Sequence, residues 1–202
     1  MTTDKRKISP ESLERLRKTV IELFAEGLFH QIGLREIAKR AEVGLQTIYK
    51  YFGNKDELIL AAIEQDLKQL TQRMSESAER TQPLSTKQRF FDLGQEFFEF
   101  YLTNRHIAHI VFMNVPHRYW VTNPRFIQNE QLITMENIIR SGQQNGEIRS
   151  DCDADLLVQM VAGAINRLMV NILNNDELPQ SGRDANELSS TILWPMLKNS
   201  AT

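Results

Sequence analysis

Cysteine is nearly absent from this chain of 202 residues; Cys152 is the single one. No disulfide can form within the chain, so a reducing compartment, the cytoplasm, is expected. Cys152 stands between Asp151 and Asp153, whose charges disfavour a thiolate, and it reads as a bystander. No apolar run approaches the roughly 20 residues of a membrane span. The opening MTTDKRKISP has no apolar stretch behind its basic residues, as a secretory leader requires. No membrane partner is therefore expected. Convincing strand alternation, internal repeats and low-complexity segments are also missing. There is no nucleophile–base pairing, phosphate loop or complete metal motif, so neither an enzyme nor a cofactor is expected.

The dominant pattern in the chain is helical periodicity. In ISPESLERLRKTVIELFAEG, Ser9 suits an N-cap, Pro10 the first helical position and Gly27 the stop. Leu13, Leu16, Val20, Leu23 and Phe24 recur between them at helical spacing. A short helix is predicted over about 34–41, a tight break at Glu42–Gly44, and a third helix over about 45–51. Asn54 is placed to cap a long fourth helix. Further helices are predicted over 87–104, within RHIAHIVFMNV up to Pro116, from Pro124 to before Gly146, over most of DCDADLLVQMVAGAINRLMVNILNN, and in ANELSSTILWPMLKN with a kink near Pro195. The fold class is all-α, with about nine helices. Gly94, inside the aromatic helix, is costly unless it permits close packing or leaves room for a ligand.

Net charge is −2, but its distribution is uneven. Residues 1–52 carry ten Lys or Arg and seven Asp or Glu, a net +3; the remainder carries 14 and 19, a net −5. A basic head on an acidic body suits a protein whose head alone meets a polyanion.

Residues 34–51 form helix, tight turn, helix, the sequence form of a helix-turn-helix. Ile37, Ala38, Ala41, Val43, Ile48 and Phe52 can pack inward. Leu45, Gln46, Tyr49 and Lys50 lie within one turn of each other and point outward together, with Thr47 at the exposed first turn. Gln46 can bond an adenine edge twice, and Leu45 and the Thr47 methyl can lie against thymine methyls. Tyr49 and Lys50 suit phosphate, and Lys50 can also reach guanine. Tyr51 falls at the rim. Lys55 adds an anion site at a helix start, and Arg35 can clamp the DNA backbone from the other side. Double-stranded DNA is the expected partner.

The motifs REIAKRAEV and TIYKYFGNKDEL, in that order and spacing, make residues 10–60 resemble the DNA-binding domain of the TetR family of transcriptional repressors. The resemblance implies a helix-turn-helix head, here 1–53, and a helical effector-binding and dimerisation domain, here 54–202. It places Arg35, Leu45, Gln46, Thr47, Tyr49, Lys50, Tyr51 and Lys55 at DNA-contacting positions. Where the family often has Thr this chain has Leu34, and where it often has Ser this chain has Gly44. Both are read as capping positions, of which Gly44 caps and Leu34 does not, so side-chain phosphate contacts there are not carried over.

In the body, Phe90, Phe91, Phe97, Phe98 and Tyr101 read mainly as core. HIAHIVFMNVPHRYW sets His106, His109, Asn114, His117, Arg118, Tyr119 and Trp120 beside Phe112 and Met113, the mix an apolar pocket needs. His106 and His109 stand three apart, but no nearby carboxylate or cysteine completes a metal site. Asn166 and Arg167 interrupt an apolar helix, as ligand contacts or as bonds across a dimer. The candidate ligand residues are thus Phe97, Tyr101, His109, Met113, His117, Trp120, Asn166 and Arg167. The helix over 156–173 is apolar through too wide an arc for a surface helix. With Leu188, Ile192, Leu193 and Leu197 of the last helix, it predicts a homodimer. The stretch from NRHIAHIV through SGQQNGEIRSD is similar to fatty acyl-CoA-responsive members of the family, which implies an acyl-CoA or other apolar effector, although SGQQNGEI within it is widespread in the family and says little of the ligand. The expected function is a ligand-responsive repressor. The alternative is an architectural or activating DNA binder without an effector, which a packed, cavity-free body would favour.

Overall fold

The computed structural model describes residues 8–27, 30–115, 128–175 and 189–199. Among them are nine α-helices and two π-helical turns, and the all-α class holds. Helix α1 (Pro10–Glu26) starts as its sequence dictates, with the Ser9 hydroxyl accepting the Ser12 N–H at 3.2 Å. Gly27 ends it in an extended rather than left-handed conformation. The glycine allows close packing: a Cβ there would lie 2.8 Å from Ile32 Cδ1, which would have to shift, and 3.1 Å from the Leu23 carbonyl oxygen. Helices α2 (Leu34–Arg40) and α3 (Leu45–Phe52) come next. The N-cap of α2 is Gly33, so position 34, read as a capping position, is instead the first helical residue. It packs half-buried against the core.

Helix α4 (Lys55–Arg80) is capped by Asn54, whose side chain accepts the Glu57 N–H at 2.9 Å. Its 26 residues extend about 39 Å at 1.5 Å per residue. It packs on α1 and α3 and also on α5 (Thr86–Thr103) and α7 (Gln128–Gln144), so one rigid rod joins head to body. Arg17 of α1 donates to Asp66 of α4 at 2.7 Å. Arg73 of α4 donates to Glu96 of α5 at 2.9 Å. Gly94 sits where α5 is closely approached: a Cβ would meet Ser189 Oγ at 3.1 Å, which is the close-packing reading of that glycine.

The segment before Pro116 is not a plain α-helix. α6 (Arg105–Ala108) runs into a π-turn, His109–Asn114. Val115 is extended, as sterics require of a residue before proline. A second π-turn, Ser189–Leu193, leads into α9 (Trp194–Leu197), so the irregularity expected near Pro195 lies before it. Helical periodicity alone does not separate a π-turn from an α-turn. The expected start of α7 at Pro124 lies outside the described residues.

Helix α8 (Ala154–Asn174) corrects two expectations. It is long and apolar enough, by length and composition, to cross a membrane, with a mean hydropathy of 1.6. Scattered Gln159, Asn166, Arg167 and Asn171 hid this in a search for unbroken runs. Here it is a body helix, packed on α7, α6 and the first π-turn through Leu157, Val161, Ile165, Met169 and others. Part of its wide apolar arc is therefore intrachain core. The outward remainder carries Leu156 and Met160, 53% and 44% exposed. Leu193 and Leu197, expected at a dimer face, are buried in their own protomer. Leu188 lies outside the described residues.

Glu147, between α7 and α8, caps α5 from a distance. Its carboxylate accepts the N–H groups of Thr86 and Lys87, the Thr86 hydroxyl and the Asn145 amide. Burial alone would raise its pKa, but these hydrogen bonds outweigh it and hold the value below the ordinary carboxylate range. A depressed folded pKa contributes stability above the unfolded pKa and loses it as pH falls through the folded value. Denaturant melts are thus expected to weaken from pH 7 toward the acid range. The Glu147→Gln variant should be less stable at pH 7 and show a smaller acid loss. An unchanged acid loss would remove Glu147 from this role.

Candidate nucleic-acid interface and effector cavity

The helix-turn-helix is built around Ile37, Ala41 and Ile48, all fully buried. The Val43 N–H reaches the Ala38 carbonyl at 3.0 Å and closes the turn. The left-handed residue in this turn is Glu42, at φ +52°, whereas Gly44 is extended and serves as the N-cap of α3. The sequence places a tight break at Glu42–Gly44 and a cap at Gly44, but nothing in a glutamate signals αL. Arg15 of α1 donates from Nε to the Ala41 carbonyl at 2.7 Å, satisfying the end of α2. With Arg17 on Asp66, two of the head's cations are engaged inside the protein, and composition alone did not reveal it.

With Ile48 buried, α3 turns Gln46, Tyr49, Lys50 and Tyr51 to the exposed side. Arg35 is also exposed, in the first turn of α2. Leu45 is half-buried and packs against the core, as does Phe52, while Thr47 is half-buried with its hydroxyl beside Gly44. Tyr51 is held at the rim, where its hydroxyl accepts the Ile8 N–H at 2.9 Å. Lys50 Nζ lies 5.5 Å from the Tyr51 ring centre, a cation–π distance. Lys55 has a structural contact that the sequence did not show: Nζ donates to the Ile32 carbonyl at 3.0 Å. Desolvation lowers its pKa from the ordinary lysine value, against the opposing pull of Asp56.

In the body, Phe97, Tyr101 and Phe112 form an edge-to-face cluster. Ring centres are 4.8 Å apart for Phe97–Tyr101 and Tyr101–Phe112, and 6.2 Å for Phe97–Phe112. Beside it is a cavity of ≈ 20 Å³, lined by Leu93, Gly94, Phe97, Phe98, Met135 and Ile165 among others. That volume is about the space one water needs, and its wall is almost wholly apolar. Of the candidate ligand residues, Phe97 lines this cavity and Tyr101 is buried behind it. His109 and Met113 are half-buried on the π-turn. Ile165 is the residue of α8 at the cavity, while Asn166 is half-buried and Arg167 is exposed. His117 and Trp120 lie outside the described residues. Among the described residues, no group of three His, Cys, Asp or Glu is placed to hold a metal.

Residues 17–62 match the family described as bacterial regulatory proteins, tetR family. The fatty acid metabolism regulator protein of Bacillus subtilis (strain 168) is 25% identical over 159 residues, 78% of this chain and 81% of that protein. The fold is similar to the fatty acid degradation regulator FadR from Bacillus halodurans, with a TM-score of 0.75 at 17% identity, covering 93% of this chain and 97% of that one. It is also similar to FadR from Bacillus subtilis in complex with stearoyl-CoA, with a TM-score of 0.70 at 24% identity, covering 89% and 94%. The head thus carries the tetR-family match over residues 17–62, and the chain as a whole shares the fold of these two FadR structures.

Proposed function

We propose that the protein is a ligand-responsive repressor that binds a near-palindromic operator as a homodimer and releases it when a largely apolar effector enters the body. The observation that carries this reading is the division of α3. One side is fully buried at Ile48, and the other exposes Gln46, Tyr49, Lys50 and Tyr51 with no share in the core. Gln46, Leu45 and Thr47 read bases. Arg35, Tyr49, Lys50 and Lys55 hold phosphates, and Tyr51 supports Lys50 from the rim. Head and body divide at 53/54, with α4 as the shared rod. Twofold pairing through the outward face of α8 sets two recognition helices about 34–36 Å apart.

The effector we assign is a long-chain acyl-coenzyme A. The support is the apolar, aromatic-walled cavity, together with a similar regulator bound to stearoyl-CoA. An acyl chain needs many times 20 Å³, so it must bind a state in which the wall has opened. The closed state is then the DNA-competent one, and the effector acts by selecting the other. Stearoyl-CoA added to a preformed protein–operator complex is expected to lower operator affinity by about 5–150-fold, the usual range of allosteric coupling. Fluorescence anisotropy of labelled operator reads this directly. The same small cavity supports the alternative of a DNA binder without an effector. Operator affinity unmoved by acyl-CoAs of any chain length would select that alternative.

A further inference from the structure

We infer that Asn114 is the positioning residue through which the cavity sets the pose of the DNA-binding head. The inference rests on the effector reading above. Asn114 ends the first π-turn and is 8% exposed. Its side-chain amide donates to the Phe24 carbonyl, in the final turn of α1, and to the His109 carbonyl at 3.4 Å. Phe24 is itself fully buried. One side chain of the body thus grips the backbone of the first helix of the head.

The same turn faces the cavity wall. Phe112, two residues earlier, packs edge-to-face on Tyr101 and on Phe97, and Phe97 lines the cavity. α6 and the π-turn pack against α1, while α6 also meets α5 and both meet α8. They form a wedge between the head and the aromatic cluster. A π-turn holds one residue more than an α-turn. Expelling that residue rotates the residues beyond the turn by about 100°, one helical position. Phe97 displaced by a ligand pushes on Phe112. A relaxation of the turn beneath Phe112 then swings Asn114 away from Phe24. A small displacement at the cavity becomes a discrete release of α1, as expected of packed elements that have two arrangements rather than a continuum.

The test compares wild type with Asn114→Ala. Operator affinity is measured with and without stearoyl-CoA, and stearoyl-CoA binding is measured separately by calorimetry. We expect the variant to bind stearoyl-CoA within about threefold of wild type yet to lose most of the ligand-induced fall in operator affinity, since the coupling contact is gone. A variant that keeps the wild-type ratio of affinities overturns the proposal. If wild type does not bind stearoyl-CoA, the effector assignment fails, and a ligand-free arm decides this proposal separately. There, Leu93→Phe fills the cavity in place of a ligand and is crossed with Asn114→Ala. Operator affinities that are non-additive by about tenfold support the relay, and additivity within about twofold refutes it. Asn114→Ser, which keeps a shorter donor, replaces the alanine variant if that variant loses its cooperative melt.

Discussion

Operator affinity is expected to fall about a thousandfold between about 50 and 200 mM salt. The proposed DNA face carries Arg35, Lys50 and Lys55, so a dimer neutralises about six phosphates, and counterion release gives a log–log slope of about −5. Lys50→Ala should weaken binding to all sequences alike and reduce the slope magnitude by about two, one per protomer. Lys55→Ala should show a mixed effect, because Lys55 also holds the Ile32 carbonyl at the approach to α2. Equilibrium titrations at four or more salt concentrations decide the matter. A flat response would mean that these cations do not meet phosphate.

Neighbouring residues on α3 are expected to fail in opposite ways. Ile48 is fully buried at the centre of the head and Tyr49 is 53% exposed beside it. Ile48→Ala removes three methyl or methylene groups from a packed core and should cost about 2–5 kcal/mol. That is a large part of a typical total of about 5–15 kcal/mol, and the melting temperature should drop by on the order of 10 °C. Operator binding should weaken in step with the unfolded fraction and be lost above the lowered melting temperature. Tyr49→Ala removes no core contact, so its stability change should stay within about 0.5 kcal/mol. Its operator affinity should nonetheless fall about tenfold or more, since one hydrogen bond of about 1 kcal/mol is lost twice in a dimer. Thermal melts and anisotropy titrations of both variants check the pair. A Tyr49 variant with wild-type affinity would remove that residue from the face.

The pattern of buried residues in the head was legible because α1, α2 and α3 keep closely to a 3.6-residue period; Ile37, Ala41, Val43 and Ile48 were placed inward from spacing alone, and all are buried. The left-handed Glu42 was not legible, since the strain is imposed by the Val43–Ala38 closure and not by the residue type. Nor were the inward uses of Arg15, Arg17 and Lys55. A basic residue reads as a surface charge until a partner carbonyl or carboxylate, distant in sequence, is in view. The two π-turns escaped for a related reason: one extra residue in a turn barely changes an apolar pattern. At the body, Phe97 was readable as a wall residue, but Ile165 rather than its polar neighbours Asn166 and Arg167 reaches the cavity. Which residue of an apolar helix meets a cavity depends on contacts across the chain, and spacing within α8 does not show them.

The central claim is that the exposed face of α3 reads DNA as one half of a twofold pair. Selection of bound duplexes from a random pool, with the mass of the recovered complex measured in solution, tests it most directly. The expected result is enrichment of a near-palindromic site whose half-sites lie one helical turn apart, about 10 base pairs centre to centre, or a multiple of that, bound by one or two dimers. A well-folded protein that enriches no site, or that binds its site as a single chain, would contradict it.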